Sequence, residues 1–194
     1  MDKRLVITIG RQCGSGGRRI GQMLAEQLGI KCYDKEILNR AAKESGLAAE
    51  LFETHDAYSL GYTSSSYMDM PINHKIFLAQ FDTIKKLASE ESCVIVGRCA
   101  DYALADDPNA FSVFITGDDE DKIKRIMETN NIDANKAKDI MIKTDKKRSS
   151  YYNYYSSKRW ADSRSYDMCV NSTKLGLEGS VELIKTYAKI KGLL

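Results

Sequence analysis

An apolar strand, a glycine-rich turn and a helical pattern follow one another in Arg4-Leu-Val-Ile-Thr-Ile-Gly-Arg-Gln-Cys-Gly-Ser-Gly-Gly-Arg-Arg-Ile20. Glycines let backbone N–H groups approach an anion closely, and the unpaired N–H groups and positive dipole end of the following helix face the same anion. The order of elements therefore predicts a loop that binds phosphate. A flexible turn without a ligand is the alternative interpretation.

The loop departs from the common pattern G-x-x-x-x-G-K-[S/T], in which the lysine contacts the β- and γ-phosphates and the hydroxyl contacts Mg²⁺. The lysine position is Gly17 or Arg18, depending on the alignment, and neither is followed by Ser or Thr. Because a guanidinium binds phosphate through a planar fork of donors, we expect Arg18, with Arg19 in reserve, to supply the charge. The pattern assigns no residue to Mg²⁺.

The composition favours a single α/β domain. A chain of 194 residues can bury one substantial core but is too short for two large domains. A formal net charge of +2 gives no support to a protein that wraps a polyanion. Five cysteines without a C-x-x-C pair, and only two histidines, argue against a disulfide framework, a zinc site or a histidine triad. With neither a signal sequence nor an apolar stretch of membrane-spanning length, we expect a cytoplasmic protein with reduced thiols.

Strand-like and helix-like segments alternate, which predicts a parallel sheet covered on both faces. The predicted strands are residues 5–9, 31–33, 93–96, 111–116 and 167–170. Helical patterns occupy the intervals, with Gly29 ending the first helix, Asp34 as a candidate N-cap of a helix over 35–43, and apolar spacing over 76–87 and 181–188. A further helix is predicted from the N-cap Asp133, with an inner face of Ala137, Ile140, Met141 and Thr144.

Two segments interrupt this alternation. Residues 56–73 are rich in Ser, Tyr and Gly without a clear period, which is typical of a functional or mobile loop. Residues 143–164 mix Lys and Arg with four tyrosines and the tryptophan. We interpret 143–164 first as a lid over a phosphate-rich ligand, and second as a solvated helix whose aromatic side chains pack on the core. Nucleic-acid binding is the third interpretation, and the near-neutral total charge disfavours it.

Two charged residues follow predicted strands. In open α/β sheets ligands sit beyond the carboxyl ends of the strands, so Arg98 is a candidate phosphate anchor. The alternative is a plain ion pair of Arg98 with Asp101 or Asp34. Asp34 itself either contacts a nucleotide or only caps the next helix.

Together these motifs resemble the cytidylate kinase-like family of P-loop nucleoside-monophosphate kinases, in the branch whose loop reads G-S-G-G-R. The similar segments extend over nearly the whole chain and are Ile7-Thr-Ile-Gly-Arg11, Gly14-Ser-Gly-Gly-Arg18, Tyr33-Asp-Lys-Glu-Ile-Leu38, Val94-Ile-Val-Gly-Arg98, Tyr151-Tyr-Asn-Tyr-Tyr155 and Tyr166-Asp-Met-Cys-Val-Asn-Ser-Thr173.

The resemblance implies a P-loop NTPase-type fold with three α/β/α layers and a five-stranded parallel sheet of order 2-3-1-4-5. It implies one domain over residues 1–194, an acceptor-binding insertion over approximately 35–75 and a lid over approximately 143–164. The residues implied to bind ATP are Gly14, Ser15, Gly16, Gly17, Arg18 and Arg19.

The activity implied by the resemblance is transfer of the γ-phosphoryl group of ATP, with Mg²⁺, to a nucleoside monophosphate, most simply CMP or dCMP. No membrane partner is expected, and nucleic acid is disfavoured. The implied catalytic cations are Arg18, Arg98, Arg148 and Arg159. The implied acceptor contacts are Asp34, Arg98, Asp145, Arg148 and Lys158, and the spacing of Asp145 and Arg148 matches the acid and arginine of the family's lid.

The chain departs from the family pattern at Gly17, where a lysine is expected, and at Cys99, where an aspartate is expected. Three alternatives therefore stay open. They are a nucleotide-binding protein without turnover, an RNA-binding module that uses residues 143–164, and a kinase for a small non-nucleotide alcohol.

Overall fold

Five parallel strands form the centre of the protein, whose computed structural model describes residues 4–46 and 70–194. The strands are β1 (Val6–Arg11), β2 (Lys31–Tyr33), β3 (Cys93–Val96), β4 (Ala110–Thr116) and β5 (Met168–Asn171). Their order in the sheet is β2-β3-β1-β4-β5, which confirms the predicted order. Strand β1 runs two residues further than predicted, because Gly10 and Arg11 still pair with Phe114 and Ile115 of β4. Arg11 is therefore the last residue of the strand and not part of the loop.

Helices cover both faces of the sheet. They are α1 (Gly17–Leu28), α2 (Glu36–Ser45), α3 (Met70–Glu90), α4 (Ala100–Ala103), α5 (Asp119–Asn130), α6 (Ala134–Ser156) and α7 (Ser172–Ile190). Because side chains alternate along a strand, Ile7 and Ile9 face α1 and α7, whereas Val6 faces the core formed with α3 and α4. The three layers predicted from the alternation of segments are confirmed.

Local sequence signals set several helix ends. Gly29 ends α1 in the left-handed conformation, and the Asp133 side chain accepts a hydrogen bond from the Lys136 N–H at the start of α6. The prediction that Asp34 caps α2 is wrong, since the N-cap is Lys35 and it makes no side-chain capping bond. The Asp34 carboxylate instead pairs with two arginines, which attract it more strongly than the N–H groups of a helix end.

The predicted insertion over residues 35–75 is described only in part. Helix α2 and the start of α3 belong to it, and residues 47–69, with most of the predicted long loop 56–73, lie outside the described residues. Its role in binding an acceptor stays a prediction. None of the helices in the described part of the chain has the length and hydrophobicity that crossing a bilayer requires.

Helix α6 carries the first part of the predicted lid. Its inner face is narrower than predicted, because Ala137 and Met141 are buried against α5 while Ile140 is 41% exposed. Three tyrosines near the end of α6 pack in a group of side chains that we call the aromatic cluster. Its members are Phe77, Phe114, Tyr151, Tyr152, Tyr155, Trp160 and Tyr166. Tyr155 stacks on Phe77 with ring centroids 3.9 Å apart, and Trp160 meets Phe114 edge-on at 5.2 Å. Most aromatic side chains of the segment therefore pack on the core.

A hydrogen bond joins the aromatic cluster to the short helix α4 that follows β3. The Tyr152 hydroxyl donates a hydrogen bond to the Asp101 carboxylate at 2.6 Å. Burial raises the pKa of Asp101, while this hydrogen bond and the charge of Lys158 act in the opposite direction.

We expect Tyr152→Phe to lower the free energy of unfolding by about 1–2 kcal/mol at neutral pH, because the Asp101 carboxylate loses a donor in a poorly hydrated place. Burial raises the folded-state pKa of Asp101 and the hydrogen bond only partly opposes this rise, so the stabilisation of the carboxylate by Tyr152 is present above the raised pKa and declines as the pH falls through it. Urea denaturation at neutral pH and at about pH 4 measures both effects. Tyr154→Phe is the matched control, since Tyr154 is 63% exposed. An equal loss at both pH values would contradict this account.

Candidate active site

The turn between β1 and α1 is a tightly enclosed glycine loop. Gly14 and Gly16 adopt left-handed φ angles of 77° and 78°. A Cβ atom on Gly14 would lie 2.6 Å from the Lys122 carbonyl oxygen, and one on Gly16 would lie 2.7 Å from Leu177 Cδ2. Both positions therefore require glycine for conformation and for space. The N–H groups that follow belong to the first turn of α1, where intrahelical acceptors are lacking.

Hydrogen bonds hold the loop against the neighbouring elements. Buried Ser15 donates to the Gln12 carbonyl oxygen at 2.9 Å, and Ser172 at the start of α7 donates to the Ser15 carbonyl oxygen at 2.5 Å. The Gln12 side-chain oxygen accepts bonds from Thr116 Oγ1 at 2.5 Å and Lys122 Nζ at 3.1 Å. The loop is thus fixed to β4, α5 and α7 without any ligand.

Two cations of α5 lie against the loop and were not found by sequence reasoning. Lys122 is 3% exposed, and Arg125 Nη1 donates to the Gly14 carbonyl oxygen at 2.6 Å. The sequence could have indicated these two residues only through the order of the strands. Strand β4 pairs with β1, so the helix that follows β4 begins beside the loop that follows β1.

Asp34 joins the loop to the end of β2. Its carboxylate lies 3.0 Å from Arg18 Nε and 3.7 Å from Arg11 Nη2. The structure thus brings together two predicted site residues, Asp34 and Arg18, and adds Arg11. Arg19 is exposed and has no ion pair with any described side chain. The predicted contacts of these residues with a nucleotide stay predictions.

Helix α6 reaches the loop through Asp145 and Arg148. Asp145 Oδ1 accepts a hydrogen bond from the Cys13 N–H at 2.7 Å, and Arg148 Nη1 donates to the Arg11 carbonyl oxygen at 3.1 Å. Burial raises the pKa of Asp145, and the Cys13 N–H and the Arg148 guanidinium 3.7 Å away oppose that shift. A loop N–H is therefore bound to an anion that belongs to the chain itself. Burial also raises the pKa of the Cys13 thiol, so Cys13 does not have the low pKa of a reactive thiol.

Arg98 lies at the carboxyl edge of the sheet, directly after β3. It is 3% exposed, and the run Gly97, Arg98 and Cys99 has φ angles of 80°, 61° and 54°. Left-handed angles at two non-glycine residues are strained, and such strain is often found at functional sites. Cys99 is buried in the aromatic cluster, and burial raises its pKa well above the usual range.

Lys158 and Arg159 lie after the end of α6. Lys158 is beside Asp101 and lines a cavity of about 400 Å³ with Thr8 and Ser112, while Arg159 is exposed. Among the residues that the structure describes, neither side chain makes a hydrogen bond or ion pair with the glycine loop. The implied roles of Arg159 as a catalytic cation and of Lys158 as an acceptor contact stay predictions. The described ranges also contain no group of three or more His, Cys, Asp or Glu side chains that could hold a metal ion.

The enclosure of the loop predicts a difference between two glycines with similar backbone angles. Gly14→Ala should lower the free energy of unfolding by about 2–4 kcal/mol, because it adds crowding to the cost of a left-handed alanine. At Gly29, φ is 65° and no atom lies within 4 Å of a Cβ atom at this position, so we expect Gly29→Ala to lower the free energy of unfolding by only about 1 kcal/mol. Urea denaturation of both variants measures the difference. Equal losses would show that the loop is not enclosed.

Comparison with known proteins agrees with this geometry. The model of the cytidylate kinase-like family matches residues 6–174. A cytidylate kinase of Archaeoglobus fulgidus is 26% identical over 191 residues, which cover 95% of both chains. The crystal structure of an uncharacterized protein from Eubacterium ventriosum is 36% identical, with a TM-score of 0.77 over 96% of this chain and 99% of that one.

A shikimate kinase from Bacteroides thetaiotaomicron shares the fold, with 14% identity and a TM-score of 0.57 over 95% of this chain and 98% of that one. The family model covers most of the chain, and the sheet order, the glycine loop and the cations around it agree with a kinase of this fold. The chain belongs to the cytidylate kinase-like family.

Proposed function

We propose that the protein transfers the γ-phosphoryl group of ATP to a nucleoside monophosphate, with CMP or dCMP as the preferred acceptor. The observation that carries the proposal is the bond from the Cys13 N–H to the Asp145 carboxylate, with the cations Arg148 and Lys122 close to it. This contact supports anion binding at the loop. Five cations contact the loop, the end of β1 or Asp34, and they are Arg11, Arg18, Lys122, Arg125 and Arg148. Family membership supports a nucleotide kinase, and the choice of CMP rests on the family alone.

The residues at the loop fit a polyphosphate. Side chains are excluded at Gly14 and Gly16, so an anion at the loop would meet backbone at these two positions. Mg²⁺ in kinases is usually held by one or two carboxylates together with phosphates and water, and the carboxylates beside the loop that would hold it are Asp34 and Asp145. Bound Mg²⁺ would neutralise charge on the β- and γ-phosphates.

Phosphoryl transfer requires from the protein mainly the placement of the two substrates and positive charge around the transferred group. The oxygen of a monophosphate is already ionised at neutral pH, so no general base is needed. In-line placement and cations around the transferred group supply most of the catalysis. In the proposed arrangement Arg18 binds donor phosphates and Arg98 binds the acceptor phosphate from the end of β3. Arg148, which reaches the loop from α6, stabilises the charge that develops between them.

The RNA-binding alternative is less well supported. Stacking on bases needs exposed rings, and of the four tyrosines in the segment Tyr154 alone is exposed, since Tyr152 is 4% exposed and Tyr151 and Tyr155 pack in the aromatic cluster. A binding protein without turnover and a kinase for a small alcohol are outcomes of the following test.

The test is release of ADP from MgATP, measured by a coupled assay with each common nucleoside monophosphate and with small polyols as acceptors. We expect turnover with CMP or dCMP above that with every other acceptor. Tight ATP binding without ADP release on any acceptor would overturn the kinase proposal. Turnover only with an alcohol would replace the acceptor class.

Arg148→Met belongs in the same assay. Loss of a guanidinium that acts at the transferred group should lower kcat by roughly 10²–10³-fold with a smaller change in KM. Lys146→Met is the matched control, since Lys146 is an exposed cation on the same helix, two residues away. Equal effects of the two substitutions would contradict the assignment of Arg148.

A further inference from the structure

The side chain of Arg11 occupies the space into which a side chain at position 17 would grow. A Cβ atom built on Gly17 would lie 2.5 Å from Arg11 Cβ and 3.2 Å from Arg11 Cγ. Two side chains cannot share this space, so an arginine at position 11 requires glycine at position 17.

The two positions have a particular meaning in the pattern G-x-x-x-x-G-K. With Gly16, the N-cap of α1, as the second glycine, the first glycine falls on position 11 and the lysine on position 17. The chain therefore has a cation where the pattern has glycine, and glycine where the pattern has the cation. We propose that Arg11 binds the donor phosphates at the place of the pattern's lysine, with the more exposed Arg18 as a second contact, an inference that rests on the proposed function.

The environment of Arg11 suits a fixed cation at the loop. Its side chain is 9% exposed, and its carbonyl oxygen is held by Arg148. Its guanidinium lies 3.7 Å from the Asp34 carboxylate, which holds it at the carboxyl edge of the sheet. Arg18 approaches the same carboxylate but is 55% exposed. A buried guanidinium loses less side-chain entropy on binding than an exposed one.

Arg18 and Arg19 do not reproduce the direction of a residue-17 side chain. Each step along a helix turns the side chain by about 100°, so position 18 leaves α1 on a different side. The Arg11 stem instead starts beside the position-17 backbone, from the last residue of β1. Arg11 thus reaches the loop from the sheet side.

The test measures binding of MgATP and of tripolyphosphate by calorimetry. Arg11→Met keeps the stem and removes the charge, and we expect its dissociation constant to rise at least roughly tenfold. Arg11→Lys should keep more of the affinity than Arg11→Met. Lys189→Met is the control for net charge, because Lys189 is exposed at the opposite end of α7, and its affinity should not change.

The exchange of the two positions allows a stricter experiment. Arg11→Gly combined with Gly17→Lys should bind MgATP at least roughly tenfold more tightly than Arg11→Gly alone. Thermal denaturation confirms that each variant is folded and tests the shared space. Gly17→Ala should lower the Tm by several degrees in the wild type and by clearly less when Arg11 is glycine.

The outcomes separate the two proposals. Wild-type protein that binds neither MgATP nor tripolyphosphate overturns the proposed function and the role of Arg11 together. If the wild type binds MgATP and folded Arg11→Met binds it equally well, only the role of Arg11 is overturned. A folded double variant that binds no better than Arg11→Gly alone also overturns that role.

Discussion

The space at the junction of β1 and α1 admits backbone and almost nothing else. Side chains at positions 14, 16 and 17 would meet α5, α7 and Arg11, respectively, within 3 Å. This crowding fixes the path of the glycine loop and keeps side chains away from its backbone. Asp145 and Arg125 hydrogen-bond to the backbone of this loop, so its path determines where their side chains lie.

The candidate site residues lie at one edge of the sheet, because its strands are parallel and their carboxyl ends meet there. Asp34 follows β2, Arg98 follows β3 and Arg11 ends β1, so three elements distant in sequence contribute to one region. Helix α6 adds Asp145 and Arg148 from above the loop. The tyrosines at the far end of the same helix pack in the aromatic cluster. The predicted lid therefore contacts the core through its tyrosines and the loop through its charged residues.

Fold and site differ in how far the sequence could predict them. Strands 31–33 and 93–96 were predicted to the residue, since each is a short run with clear flanking signals. The cap at Asp34 was predicted wrongly, because its partners Arg11 and Arg18 come from a distant segment. Lys122 and Arg125 were missed for the same reason. Ile140 has the right spacing for the core but lies at the margin of a face that Ala137 and Met141 already fill.

The most direct measurement of the central claim is the change in backbone amide chemical shifts when tripolyphosphate is added to isotope-labelled protein. If the loop binds phosphate through its main chain, the amides of residues 13–18 shift most and saturate together. A titration in which these amides stay unmoved, or in which larger shifts appear elsewhere on the protein, would contradict the claim.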